Sequence, residues 1–307
     1  MLTFLKLIRW PNVLMTIVAQ VVVYQALIEP SGLLLAMETW ELVLLILSTA
    51  LLTASGNVIN DIQDIAVDKI NKPDKVIVGK KMTYKSAFSI YMALTITAVV
   101  MGFIVANAID KPILASVFII VSFTLYSYAT TLKSILLVGN ILISLLVGLS
   151  VLIVGVFEFY PIAEMHSPAQ LAAVMKPILY FSFGAFLINL YREWIKDCED
   201  VNGDRLGGRN SMALVLGRQR AARLTSVLIM LTVVVMGYLA VVYFAADQVT
   251  LLYWIFLLMA PLSIVGIQLW AADSPAKFHK LSLIMKITML LGVLFMFFYQ
   301  ADSFSDF

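Results

Sequence analysis

The chain has 307 residues, of which 62% are hydrophobic and only 13% charged, with a formal net charge of +2. A soluble domain of this size carries about 25% charged residues, so too little polar surface is present to face water all round, and the surrounding solvent must be lipid. A balance of +2 offers no basic field for nucleic acid, the single Cys198 excludes an intrachain disulfide framework, and His166 and His279 lack the companions a zinc site needs.

The opening "MLTFLKLIRWPN" sets a basic flank before an apolar run, as a signal peptide would. No small-x-small cleavage pattern follows and further apolar segments do, so it reads as a retained first helix. Segments of spanning length recur at 12–29, 41–60, 86–109, 112–131, 135–157, 172–192, 222–245, 249–271 and 281–300. Each is close to the ~20 residues a bilayer demands. The pattern predicts an all-α integral membrane protein, nine transmembrane helices forming one domain over residues 1–307. The longest connectors, 61–85 and 193–221, hold the charged motifs and read as loops.

Charge then fixes the expected orientation. With the N-terminus in the cytoplasm, 19 of the 21 Lys and Arg residues fall on the cytoplasmic side, and only Lys111 and Lys176 fall outside. The positive-inside rule therefore predicts a multi-pass protein of the cytoplasmic membrane with both large loops inside. The acidic tail "ADSFSDF" would emerge on the far side.

Those two loops carry related motifs. In "NDIQDIAVD", residues 60–68, Asp61, Asp64 and Asp68 match Asp197, Asp200 and Asp204 of "KDCEDVNGD", residues 196–204, each pair 136 positions apart. Both triplets follow a span running inward, which predicts a parallel internal repeat of spans two to five against six to nine. Positions i, i+3 and i+7 share about 60° of a helix surface. Three carboxylates so placed repel one another unless a cation joins them. An Asp at the bilayer centre costs ~2.5–3.5 kcal/mol, so six belong at the aqueous rim or in a wet cavity. Single clusters of this kind are often merely solvated; the duplication argues for metal. All-oxygen ligands favour Mg²⁺ over zinc.

Mg²⁺ on carboxylates keeps positions open for phosphate oxygens. The same connectors supply cations to offset a diphosphate: Lys69, Lys72 and Lys75 after the first triplet, and Arg192, Lys196, Arg205 and Arg209 around the second. Lys133, the only basic residue between the fourth and fifth spans, joins them on the same side. A diphosphate met from within lipid implies a long apolar tail, and an isoprenyl diphosphate fits. Its allylic C–O bond ionises once the departing diphosphate is stabilised, and Tyr126 and Tyr128 are candidates to face the carbocation. Cys198 stands among acids that disfavour thiolate and is assigned no role. Gly203, Gly207 and Gly208 suggest a loop folding over phosphate.

The Asn-Asp-x-x-Asp-x-x-x-Asp run at 60–68, the second Asp motif at 197–204 and "YATTLKSILLVGN" together resemble the UbiA-type family of intramembrane prenyltransferases, over nearly the whole chain. The resemblance implies a helical bundle around a central cavity open laterally to lipid. It implies Mg²⁺-dependent transfer of an isoprenyl group from its diphosphate to a lipophilic acceptor. Asn60, Asp64 and Asp68 match the first family motif and Asp200 and Asp204 the second, with Asp61 and Asp197 as accompanying acids of the metal site. Asp64, Asp68, Asp200, Asp204 and Lys133 are then the catalytic set. Lys133 matches the diphosphate-binding lysine, followed by Gly139 and Asn140, and Arg9 and Asn12 match the start of the first helix. The diphosphate-binding set becomes Arg9, Asn12, Asn60, Lys75, Lys133, Asn140, Arg192, Lys196 and Arg209.

"DKINKPDKVIVGKKM" and "REWIKDCEDVNGDRLGGRNS" are nearest in look to the archaeal-lipid branch of that family, in which geranylgeranyl diphosphate alkylates geranylgeranylglyceryl phosphate. Lys72 and Lys75 stand where that branch has arginines, and Val76 and Val78 where it has prolines. Prenylation of an aromatic quinone precursor remains open. So does, from another class, a cation-coupled transporter, although transporters bury charge near the midplane in broken helices. The expected partners are the donor, the acceptor and membrane lipid, with no nucleic acid and no obligate protein partner.

Overall fold

The computed structural model describes residues 2–71 and 73–299; Lys72, the side chain of Lys75 and the acidic tail 300–307 lie outside the described residues. Among those described, nine helices are long and apolar enough to cross a membrane: α1 (Trp10–Ser31), α2 (Thr39–Gln63), α3 (Tyr84–Ala108), α4 (Pro112–Thr130), α5 (Val138–Phe159), α6 (Pro168–Leu206), α7 (Arg218–Tyr243), α8 (Gln248–Trp270) and α9 (Pro275–Phe298). All nine expected spans are present. The only β pairing among these residues is an isolated bridge between Val78 and Met82.

Local sequence sets the helix ends. A short helix, Leu2–Leu7, breaks before α1 where Arg9 takes a left-handed conformation at φ 50° and Pro11 occupies the first turn. α2 and α6 open on capping boxes, Glu38 with Glu41 and Ser167 with Gln170, which satisfy backbone N–H groups that have no helical acceptor. α2 stops at Asp64, and a second short helix, Ile65–Asn71, carries on from it.

α6 departs from expectation. Its 39 residues extend about 58 Å at 1.5 Å per residue, roughly twice the ~30 Å of a hydrocarbon core. Residues 193–206, expected as loop, are helix, because hydrogen bonding continues where hydropathy falls. Ile195, Cys198 and Val201 keep an apolar stripe that packs on Met212, Ala213, Ala221 and Ala222.

α2 is the most buried span, with 61% of its apolar window inside the bundle against 22% for α3. It packs on α1, α3 and α4; α6 packs on α5, α7 and α9; and α1 completes the ring by touching α5 and α9. A central cavity is lined by α1, α2, α4, α5, α6 and α9, leaving α3, α7 and α8 outside. Lipid gives no hydrophobic drive between helices, so close packing and interhelical hydrogen bonds hold them. Gln20 donates to the Ser150 carbonyl at 2.9 Å and accepts from Thr49 Oγ1 at 2.7 Å, tying α1, α5 and α2. Ser182 reaches the Gly148 carbonyl at 2.8 Å, and Ser226 the Gly266 carbonyl at 2.6 Å. Outward, Phe123, Val234 and Val241 are at least two-thirds exposed, a lipid-facing surface.

Gly102 shows how tight the packing is: a Cβ there would run into the Phe118 ring, which itself meets Phe157 edge-on at 5.7 Å. Gly102→Val is expected to cost about 1–3 kcal/mol by overpacking, while Gly184→Ala, inside α6 with nothing within 4 Å, is expected to cost nothing and to gain up to about 1 kcal/mol of helix stability. Thermal unfolding in detergent checks the pair.

Candidate active site

Both acidic triplets emerge at one end of the bundle, on two different backbones. Asn60 and Asp61 lie in the last turn of α2, Asp64 caps that helix, and Asp68 sits one turn into the following short helix, its N–H donating to the Asp64 carbonyl at 2.8 Å. The first triplet is thus bent at its middle member. Asp197, Asp200 and Asp204 stay on one uninterrupted face of α6.

The triplets converge through Arg209, which follows α6. Its Nη1 donates to Asp204 Oδ1 at 3.2 Å and its Nη2 pairs with Asp64 Oδ1. Lys133 Nζ reaches the same Asp64 oxygen at 2.5 Å and Asn60 Oδ1 at 3.3 Å, while Asn60 Nδ2 donates to Asp64 Oδ2 at 2.9 Å. Burial pushes the Asp64 carboxyl up, but the Lys133 and Arg209 charges and their hydrogen bonds outweigh it and hold it below the usual carboxylate range.

The backbone supports that meeting. Lys133 lies in a tight turn, Leu132–Ser134, and Leu137 at φ 62° swings the chain into α5. Gly139 lets α5 pass beneath: a Cβ there would sit 2.7 Å from Lys133 Cα. The Asn210 N–H donates to the Ser134 carbonyl at 3.2 Å, fastening the segment that carries Arg209 to the one that carries Lys133. Asn140, one residue on, donates to Asp197 Oδ2 at 3.1 Å.

Asn71 joins the two triplets a second time. Its Nδ2 donates to the Asp200 carbonyl at 3.2 Å and its Oδ1 accepts from the Gly203 N–H at 2.8 Å. Gly203, expected to serve a phosphate loop, is instead a helix position where any Cβ would collide with the Asn71 amide.

On another side of the same cavity stand further charges. Arg9 pairs with Asp61 at 2.7 Å. Arg192 and Lys196 both hold Glu193, at 3.0 and 3.1 Å. Lys286 donates to Asn12 Oδ1 at 2.6 Å. Beneath this polar mouth the cavity, about 240 Å³, runs between apolar walls that include Phe118, Val121, Leu125, Ile143 and Val147.

The expected diphosphate residues therefore fall into groups. Asn60, Lys133 and Arg209 meet at Asp64; Asn140 meets Asp197; and Arg9, Asn12, Arg192 and Lys196 line the other side. Tyr128 lines the cavity as expected, but Tyr126 is exposed and stacks on Tyr91 at 6.5 Å. The expected metal set of Asn60, Asp61, Asp64, Asp68, Asp197, Asp200 and Asp204 is not gathered into a cage: among the described residues, no three His, Cys, Asp or Glu side chains group closely enough to hold a metal ion. Arg9 holds Asp61, Lys133 and Arg209 with the Asn60 amide hold Asp64, Arg209 holds Asp204, and the Asn140 amide holds Asp197. The donors are all oxygen, and a guanidinium seated between one carboxylate of each motif marks a place whose field draws in a cation, so the residues fit a hard metal.

Sequence reasoning missed Glu193, Lys286 and Asn71. Glu193 stands beside Arg192 and three residues before Lys196, a legible helical pairing. Lys286 looked like one more inner-face lysine, and nothing local marked Asn71.

Fold and site together define a multi-pass integral membrane protein with charged clusters at one end of a central, largely apolar cavity. The chain belongs to the UbiA prenyltransferase family, whose model matches residues 13–300. A digeranylgeranylglyceryl phosphate synthase of Saccharolobus solfataricus is 30% identical over 296 residues, covering 95% of this chain and 94% of that protein. A solved structure concerned with digeranylgeranylglyceryl phosphate synthase in membranes superposes with TM-score 0.64 at 22% identity, covering 97% of this chain and 98% of the other. A UbiA homologue from Archaeoglobus fulgidus, bound to DMAPP and Mg²⁺, superposes with TM-score 0.57 at 15% identity, covering 96% and 99%.

Severing the Asn71 bridge tests the joint between the triplets. In Asn71→Leu, amides of 65–71 and 200–204 are expected to exchange hydrogen faster together, with the spans unchanged, in exchange mass spectrometry of the detergent-solubilised protein.

Proposed function

We propose that this protein transfers a geranylgeranyl group from its diphosphate to the hydroxyl of a phosphorylated glyceryl ether lipid, with Mg²⁺. The observation that carries the reading is the meeting of the two Asp motifs, through Asp64, Arg209 and Asp204, beside Asn60, which holds Asp64 and lines an apolar cavity. The names of the relatives support the acceptor, and the Mg²⁺-bound homologue supports the metal.

Asp64, Asp68, Asp200 and Asp204, with Asn60, Asp61 and Asp197 beside them, are the residues that would hold the metal. Bound there, Mg²⁺ supplies positive charge to the diphosphate leaving group. The chain's own residues do the rest. Lys133 and Arg209 present their cations where the diphosphate enters, already fixed by Asp64 and Asp204, so little reorganisation is needed when negative charge develops. The apolar walls keep water from the reacting carbon, and the ring of Tyr128 offers a π face to a carbocation. The donor C1–O bond breaks, diphosphate leaves with the electron pair, the acceptor oxygen bonds to C1, and the hydroxyl proton is lost.

The acidic ends face the cytoplasm in this reading, supported by the 19 of 21 basic residues on that side. The matching triplets support descent of the two halves from one repeat.

In detergent with Mg²⁺, radiolabelled geranylgeranyl diphosphate and a panel of acceptors, product is expected with the phosphorylated glyceryl ether ahead of aromatic acids and quinols, and none in EDTA. Asp64→Ala and Asp204→Ala are expected to lose at least about 10²-fold in kcat, the scale of removing one electrostatic stabiliser; normal turnover in both removes the assignment. For the orientation, cysteine placed at Lys69 in a Cys198→Ser background should react with an impermeant maleimide in inverted vesicles and stay unlabelled in intact cells.

A further inference from the structure

The cavity carries a charged corner, between α1, α6 and α9, apart from the Asp64 cluster, of which Asn60 lines the cavity. Arg9 there is matched by Asp61. Arg192 and Lys196 share one carboxylate, Glu193. Lys286 gives a hydrogen bond to Asn12 Oδ1 and has no carboxylate partner among the described residues. It lies within electrostatic reach of Arg192, Arg9 and Lys196, all of its own sign. Arg192 also keeps a fully buried Nε with no hydrogen-bond partner.

Setting Arg9 against Asp61, Arg192, Lys196 and Lys286 face Glu193, with Asp197 also within electrostatic reach of Lys196, so cations outnumber acids in this corner. Like charges at the rim of a lipid-embedded cavity repel unless an anion sits among them. A phosphate monoester carries about −1.5 to −2, an anion that such a corner can take up.

The walls below say what is attached to the anion. On α9, Lys286, Met289 and Val293 line the cavity at i, i+3 and i+7; on α1, Asn12, Met15 and Ala19 do the same. Each stripe runs from a polar head to apolar positions one and two turns deeper. The wall below the Asp64 corner repeats the design on α4, where Tyr128, Leu125 and Val121 run from mouth to interior. One cavity thus offers two polar-to-apolar walls, headed by Asn12 and Lys286 on one side and by Tyr128 on the other.

We propose that the corner formed by Lys286, Arg192, Lys196 and Asn12 seats the phosphate monoester of the acceptor lipid, and that Lys286 sets the preference for a phosphorylated acceptor. This rests on reading the Asp64 corner as the donor's seat, and it moves Arg192, Lys196 and Asn12 from the donor diphosphate to the acceptor.

The test uses the full chain in detergent with Mg²⁺, varying geranylgeranyl diphosphate and the phosphorylated glyceryl ether separately. Lys286→Met is expected to raise the acceptor KM at least about tenfold, the scale of one lost charged hydrogen bond, with the donor KM changed less than about twofold. Lys286→Arg should recover most of the loss. The wild type should prefer the phosphorylated acceptor over its dephosphorylated analogue, and Lys286→Met should lose most of that preference. An equal or larger rise in donor KM, or an undiminished preference, overturns the proposal. If the wild type turns over no phosphorylated glyceryl ether, the acceptor reading fails by itself. The corner is then judged by inorganic phosphate in isothermal titration calorimetry: binding to the wild type that vanishes in Lys286→Met supports an anion seat, and no binding to the wild type ends it.

Discussion

Asp64 is the meeting point on which the arrangement depends. It belongs to α2, and its partners come from the α4–α5 turn through Lys133 and from beyond α6 through Arg209, which continues to Asp204. Removing one partner of a buried charge pair costs about 3–5 kcal/mol because the other is left uncompensated. In a bundle whose apolar faces are equally content with lipid or with one another, such a tie does what a hydrophobic core cannot: it fixes which helix ends meet, and at what depth. Asn71 and the Asn210–Ser134 backbone bond brace the same junction from either side.

Much of this was legible in the sequence, and the boundary of legibility has a physical basis. The nine spans follow from hydropathy because lipid rewards length and apolarity with no reference to tertiary contacts. The duplicated Asp triplets were visible as spacing, and spacing survives folding when both copies sit at helix ends. Hydropathy says nothing, however, about where a helix stops once it leaves the membrane. The Asp197–Asp204 stretch therefore reads as loop by hydropathy, although the period of Ile195, Cys198 and Val201 implies a buried face. Asn71 and Lys286 stayed invisible because their roles depend on what faces them from another helix.

The same reasoning separates Gly139 and Gly203 from an ordinary turn. Gly139 is required where α5 passes under the Lys133 backbone, and Gly203 where α6 receives the Asn71 amide. Both are close approaches between elements that carry chemistry, so a side chain at either would shift a charged group rather than merely crowd a core. A glycine in a "GDRLGG" run looks like loop chemistry in one dimension and proves to be helix–helix packing in three.

Charge neutrality also constrains the order of binding in the proposed reaction. Lys133 and Arg209 already neutralise Asp64 and Asp204. A divalent cation arriving alone would compete with them for the carboxylates and leave two basic groups unmatched at the rim of the lipid. A diphosphate alone would draw the basic groups away and leave the carboxylates unmatched. In the proposed arrangement, Lys133 and Arg209 would turn to the diphosphate while the acids they leave would hold the metal, and no buried charge would be stranded. Linkage makes such an arrangement cooperative, each ligand raising the affinity for the other by the same factor. In the proposed reaction the Asp64 cluster would thereby favour the metal–diphosphate complex over either component.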